Sequence, residues 1–248
     1  MRALGNFLVF EVLRLLRNVR YVGITIGFPV VFYVLFLHDL EPSSHIAGTT
    51  WNTYFMVSMA AFGAMVAALN AGGTRLAAER ASGWTRQIRV TPLPAWSYVV
   101  TKISASMIIA LPVIVLVELT GFLLAGVHLS PAAWLELTAV MWAGTLPFAA
   151  LGVLVGFVAH TETAYPVVTA LMFLLSFFGG LFKPVQQLPT ALRRVASFLP
   201  SYHSASLGWS TVAGRIPALV DSAVLLAYVV VLGAGVAWRH RREEARAY

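Results

Sequence analysis

The chain has 248 residues, 59% of them hydrophobic and 11% charged, with a mean hydropathy of +0.80. A soluble domain usually carries about 25% charged residues, so the composition excludes an ordinary water-soluble fold. The absence of cysteine excludes disulfides and thiolate metal sites, and the net charge of +7 leaves nucleic acid to be judged from where the basic residues lie.

In residues 1–20, Leu4, Leu8, Leu15, Leu16 and Val19 recur near helical spacing, with Arg14, Arg17 and Arg20 placed to reach lipid headgroups. This pattern predicts an amphipathic helix in the membrane interface, blurred by Glu11. Six apolar runs follow, each long enough to cross a bilayer at about 1.5 Å per residue: Tyr21–Leu37, Tyr54–Ala71, Tyr98–Leu124, Trp134–Val158, Ala164–Phe182 and Ala218–Trp238. None alternates as a barrel strand does, so the predicted class is all-α integral membrane, one domain over residues 1–248. The first run is too long for a signal-peptide core and lacks a small-residue cleavage site, which predicts a retained span.

Gly23-x-x-x-Gly27 and Gly152-x-x-x-Gly156 predict close helix packing, within one subunit or between two. Pro29, Pro112 and Pro147 lie inside predicted spans and should kink them. "AHTETA" after the fourth span reads as a tight turn. The largest loop, Lys183 to Pro217, holds a predicted short helix from Pro189 to about Leu199, ended by Pro200. With the N-terminus inside, thirteen Lys and Arg residues fall on the cytoplasmic side and four on the outer side. The positive-inside rule therefore accounts for the basic balance without nucleic acid, and predicts both termini to be cytoplasmic.

The polar segment between the second and third spans carries Ala77, Ala81, Trp84 and Ile88 as one apolar stripe, with Arg75, Glu79, Arg86 and Arg89 largely off it. Gly83 breaks it into two short pieces, and Pro92 and Pro94 turn the chain back. The stripe suits docking into a groove on another protein; a basic loop obeying the positive-inside rule is the other reading the periodicity allows.

Glu118 is the one acidic residue deep in a predicted span, a candidate polar site or a residue reaching a local partner. Glu136 and Asp221 fall near outer span ends, where solvation is expected. The six histidines show no paired metal-binding spacing, and neither lysine, Lys102 or Lys183, lies in a P-loop. No catalytic residue, metal or cofactor is expected in this chain.

The order Glu79-Arg80-x-x-Gly83-(three)-Gln87-(three)-Thr91-Pro92-Leu93-Pro94, followed by Lys102, resembles the cytoplasmic loop of ABC-2 type transporter permeases. Phe177–Trp209 is similar to that family's region after the fifth span. Trp84, where a small or hydroxyl residue is usual, and "PSYH", in place of an Asn-Pro start, depart from the pattern. The resemblance implies the membrane subunit of a bacterial ABC exporter. Two such permeases would pair with two separate ATPases that hold ATP and Mg, and Glu79, Arg80, Gly83, Trp84, Arg86, Arg89 and Pro92 would form the ATPase-coupling element. An intramembrane enzyme acting on lipid-linked substrates, and a non-transporting anchor for a cytosolic ATPase, are the competing readings.

Overall fold

An unpaired backbone N–H or C=O is costly in lipid, so a chain this apolar closes its hydrogen bonds within helices. The computed structural model describes residues 2–37, 45–84 and 95–245. The described residues form α1 (Arg2–Leu16), α2 (Val19–Leu35), α3 (Trp51–Ala81), α4 (Ala95–Leu124), α5 (Pro131–Ala143), α6 (Leu146–Val158), α7 (Thr161–Phe178), α8 (Thr190–Ala196), α9 (Pro200–Val212) and α10 (Leu219–Ala245). A 3₁₀ turn spans Val185–Gln187. Two-residue strands β1 (His45–Ile46) and β2 (Thr49–Thr50) pair antiparallel, His45 opposite Thr50.

Among these residues, five stretches are long and apolar enough to cross a membrane: α3, most of α4, α5 with α6, α7, and α10 as far as Arg242. The helix α2 is shorter, with an apolar part of Gly23–Leu35. Its 17 residues reach about 25 Å.

At the centre stands α3, almost wholly buried and packed against α2, α4, α6, α7 and α9. Small residues on all sides, including Ala60, Gly63, Ala64, Ala67 and Ala68, let those neighbours approach. A Cβ on Gly63 would sit 2.6 Å from the Val113 side chain.

The predicted second span ends at Ala71, yet α3 runs unbroken to Ala81. Gly72 and Gly73 form the crossing point with α6 and do not end the helix. A Cβ on Gly72 would lie 2.8 Å from the Val153 nitrogen, and one on Gly156 2.7 Å from the Gly72 carbonyl oxygen. The Gly152-x-x-x-Gly156 pattern is thus spent on packing within the chain, whereas a Cβ on Gly23 or Gly27 would meet nothing within 4 Å. At 31 residues α3 measures about 46 Å. That exceeds a hydrocarbon core of about 30 Å, so its last turns project beyond the apolar layer.

The predicted fourth span is two helices, α5 and α6, interrupted at Gly144–Thr145, and Pro147 lies in the first turn of α6. Pro29 and Pro112 do lie inside α2 and α4. The predicted helix after Pro189 is the short α8, and Pro200 opens a further helix, α9, at the first-turn position proline favours. One face of α9 is buried against α3: the Trp209 indole donates to the Tyr54 carbonyl and to the Ser58 hydroxyl, each at 3.2 Å, and stacks on the Tyr54 ring.

Candidate coupling site

Four ionic side chains from three helices meet at one end of the bundle. Glu11 comes from α1, where it lies on the inward stripe with Phe7, Leu8, Val12 and Leu15. Glu79 comes from the last turn of α3, and Lys102 from the second turn of α4. The Lys102 ammonium donates to Glu11 Oε1 at 2.6 Å and reaches Glu79 Oε2 at the same distance. The Tyr98 hydroxyl donates to Glu79 Oε2 at 2.9 Å, and Arg14 Nη1 donates to Glu79 Oε1 at 3.1 Å.

Lys102 and Glu11 are 1% exposed and Glu79 is 4% exposed. Charges removed from water to this degree persist only when paired. Each carboxylate finds the ammonium, and Arg14 brings the group of four to neutrality. Glu11 Oε2 has no partner, so Lys102 is the sole ionic contact of Glu11 among the described residues. The cluster therefore fastens α1, α3 and α4 to one another at a single point.

Sequence reasoning offers Glu79 and Arg80 as salt-bridge partners for another protein or as members of an internal pair with Arg75 or Arg86. The structure turns both inward. Arg80 Nη1 donates to the Gly156 carbonyl at 3.0 Å, at the C-terminal end of α6, where a cation complements the helix dipole. Successive residues on a helix point about 100° apart, so Glu79 and Arg80 clamp different neighbours, the α1/α4 pair and α6. Thr161 at the start of α7 adds a bond to the Ala77 carbonyl at 3.2 Å.

Directly after this clamped turn the helix stops. Ser82 caps it, with its N–H on the Ala78 carbonyl at 3.0 Å. Gly83 then takes φ +75°, and a Cβ there would meet nothing within 4 Å. Glycine is needed for the left-handed backbone, not for space. Trp84 follows, its ring 5.6 Å from the Arg14 guanidinium in a cation–π contact. Arg86, Arg89 and Pro92, the other expected coupling residues, lie outside the described residues. The rigid end of α3 thus passes through one glycine turn into residues 85–94.

The remaining polar candidates lie elsewhere. Glu118 is 5% exposed, and Thr138 on α5 lies 2.6 Å from its Oε2; the contact ties α4 to α5. Asp221 is not solvated as expected, being only 5% exposed. It sits in the first turn of α10, where a helix N-terminus favours a carboxylate. It pairs with His203 Nδ1 at 2.6 Å and accepts from Ser206 at 2.8 Å. His203 Nε2 faces the Ser197 carbonyl at 2.9 Å, so an imidazolium satisfies both acceptors. Burial opposes that charge. The hydrogen bonds to Asp221 and Ser197, with the Asp221 charge, outweigh it and raise the His203 pKa above its ordinary value.

Long apolar helices around a near-central helix, with charges buried at one end beside a glycine turn, define a multi-pass membrane protein. The ABC-2 family transporter protein model matches residues 39–238. Over 245 residues, 99% of this chain and 100% of the relative, the sequence is 30% identical to "Putative transport permease YvfS" of Bacillus subtilis (strain 168). The chain belongs to the ABC-2 family of transporter proteins and is a transport permease of that family.

Proposed function

We propose that this permease is the membrane half of an ATP-driven exporter, working with a separate ATPase and a second permease. In this reading α2 is the first of six crossings, both termini face the cytoplasm of a bacterial cell, and the substrate is a hydrophobic or amphipathic compound of drug, lipid or glycan type. The ATPase engages the segment from Gly83 to Pro94, whose aromatic and basic residues suit a docking surface. The single observation that carries the proposal is the buried cluster at the root of this segment. A displacement of residues 83–84 acts on the last turn of α3, and Glu79 and Arg80 pass it directly to α1, α4 and α6. ATP binding shifts the bundle only through a difference in docking contacts between nucleotide states.

The test is reconstitution of the permease with its ATPase in vesicles, measuring ATP hydrolysis and export together. Gly83→Pro cannot adopt φ +75°, and Trp84→Ala removes the ring that Arg14 covers. Both variants are expected to insert normally and to hydrolyse ATP while export per ATP falls. Unchanged export per ATP in both would refute the coupling role. Hydrolysis without export by the wild-type complex would favour a membrane anchor instead.

A further inference from the structure

Beside the ion cluster lies a cavity of about 370 Å³ lined by Arg14, Arg75, Ala78, Glu79 and Ser82. Its charge is not balanced. Glu11 and Glu79 are matched by Lys102 and Arg14, which leaves Arg75 in excess. The Arg75 guanidinium lies over the Tyr21 ring, 5.5 Å from its centroid, and no carboxylate among the described residues pairs with it. Arg14 is 44% exposed, so two guanidinium groups border a space large enough for a tetrahedral anion.

The height of the cavity comes from α1. Its inward stripe is packed against the bundle, yet Val9, Phe10, Leu13 and Leu16 on the opposite side are 58%, 51%, 53% and 44% exposed. Four large apolar side chains on one face need an apolar solvent. Phe10 lies one turn before Arg14 and Leu13 immediately precedes it, so the acyl region of a leaflet would begin beside the cavity mouth. Tyr21, stacked with Arg75, is an aromatic type that favours this depth.

We propose that the cavity binds the phosphate of an anionic phospholipid, held by Arg75 and Arg14, with its acyl chains along Phe10 and Leu13. Guanidinium groups suit phosphate because they offer several donors in one plane. A zwitterionic lipid brings its own cation to the two arginines and is disfavoured. A cytosolic acidic side chain would have to enter beneath the apolar face of α1. The inference rests on the membrane placement of the bundle and not on the docking of an ATPase.

The test uses the purified full-length permease without any ATPase, so its failure would leave the coupling proposal standing. Native mass spectrometry is run with phosphatidylglycerol and phosphatidylcholine of identical chains. Wild-type protein is expected to retain phosphatidylglycerol about tenfold better, the scale of one charged hydrogen bond. Arg75→Ala should abolish that preference without changing phosphatidylcholine retention, and Arg75→Lys should keep part of it. Independently of any variant, a phosphatidylglycerol with a photoactivatable acyl chain should crosslink to Phe10 or Leu13 in the wild-type chain. Equal retention of the two lipids by wild-type protein, undiminished preference in Arg75→Ala, or crosslinks only to other helices would overturn the proposal. Displacement by glycerol phosphate at the same concentration would also overturn it, because the site would then read phosphate without the membrane.

Discussion

Lys102→Met keeps most of the apolar stem and deletes the ammonium that two carboxylates share. Glu79 would retain Arg14 at 3.1 Å, a partner 44% exposed to solvent. Glu11, 1% exposed, would lose its sole ionic contact among the described residues. Removing one member of a buried pair costs about 3–5 kcal/mol. For a protein of this size about 2–4 °C is lost per kcal/mol, so the melting temperature should fall by about 6–20 °C. The assay is thermal denaturation of the detergent-solubilised permease, followed by the loss of its monodisperse size-exclusion peak. Glu11→Gln added to Lys102→Met should recover part of the loss, because it removes the stranded charge. A coupling energy of about 1–3 kcal/mol is expected from the resulting double-mutant cycle. A fall below about 2 °C, or additivity within about 0.5 kcal/mol, would show that the cluster does not hold the three helices together.

Other expectations follow from packing and protonation. Gly72→Ala or Gly152→Ala should destabilise by about 1–3 kcal/mol, because the added methyl meets backbone at 2.8–3.0 Å; Gly23→Ala and Gly27→Ala, with open space around them, should stay within about 0.5 kcal/mol in the same melts. The raised His203 pKa means that the protonated imidazole stabilises the folded state. That contribution is complete below about pH 6.5, the ordinary histidine value, and is lost as pH rises through the folded-state pKa. Melting temperature should therefore decline on raising the pH above about 6.5 in wild-type protein and much less in Asp221→Asn; equal slopes would refute the pairing.

The helices were legible wherever apolar length alone decides. Tyr98–Leu124 and Ala164–Phe182 approximate α4 and α7 because lipid permits few alternatives to a helix. The continuity of α3 to Ala81 was not legible: Gly72-Gly73 followed by charged residues looks like a helix end, and only the approach of α6 shows why glycines stand there. Pro200 ends a helix or opens one with equal local propriety, and the pocket that receives Trp209 on α3 decides for opening. Glu11 seemed to spoil an amphipathic stripe when it lies on the buried one. Its partner Lys102 is 91 residues away in sequence, a separation at which periodicity carries no information. A conspicuous acidic residue on an otherwise apolar inward stripe was the signal available, and it pointed to a buried cation. Asp221 was misplaced for the same reason, its partner His203 lying on another helix.

The central claim is that the segment beginning at Gly83 is where a cytosolic motor presses on the bundle. Replacing Trp84 with a photoreactive phenylalanine analogue in the assembled complex tests this most directly. Illumination should join the permease to the ATPase, with a yield that differs between ATP-bound and nucleotide-free states. Crosslinks confined to lipid or to the opposite face of the membrane would contradict it.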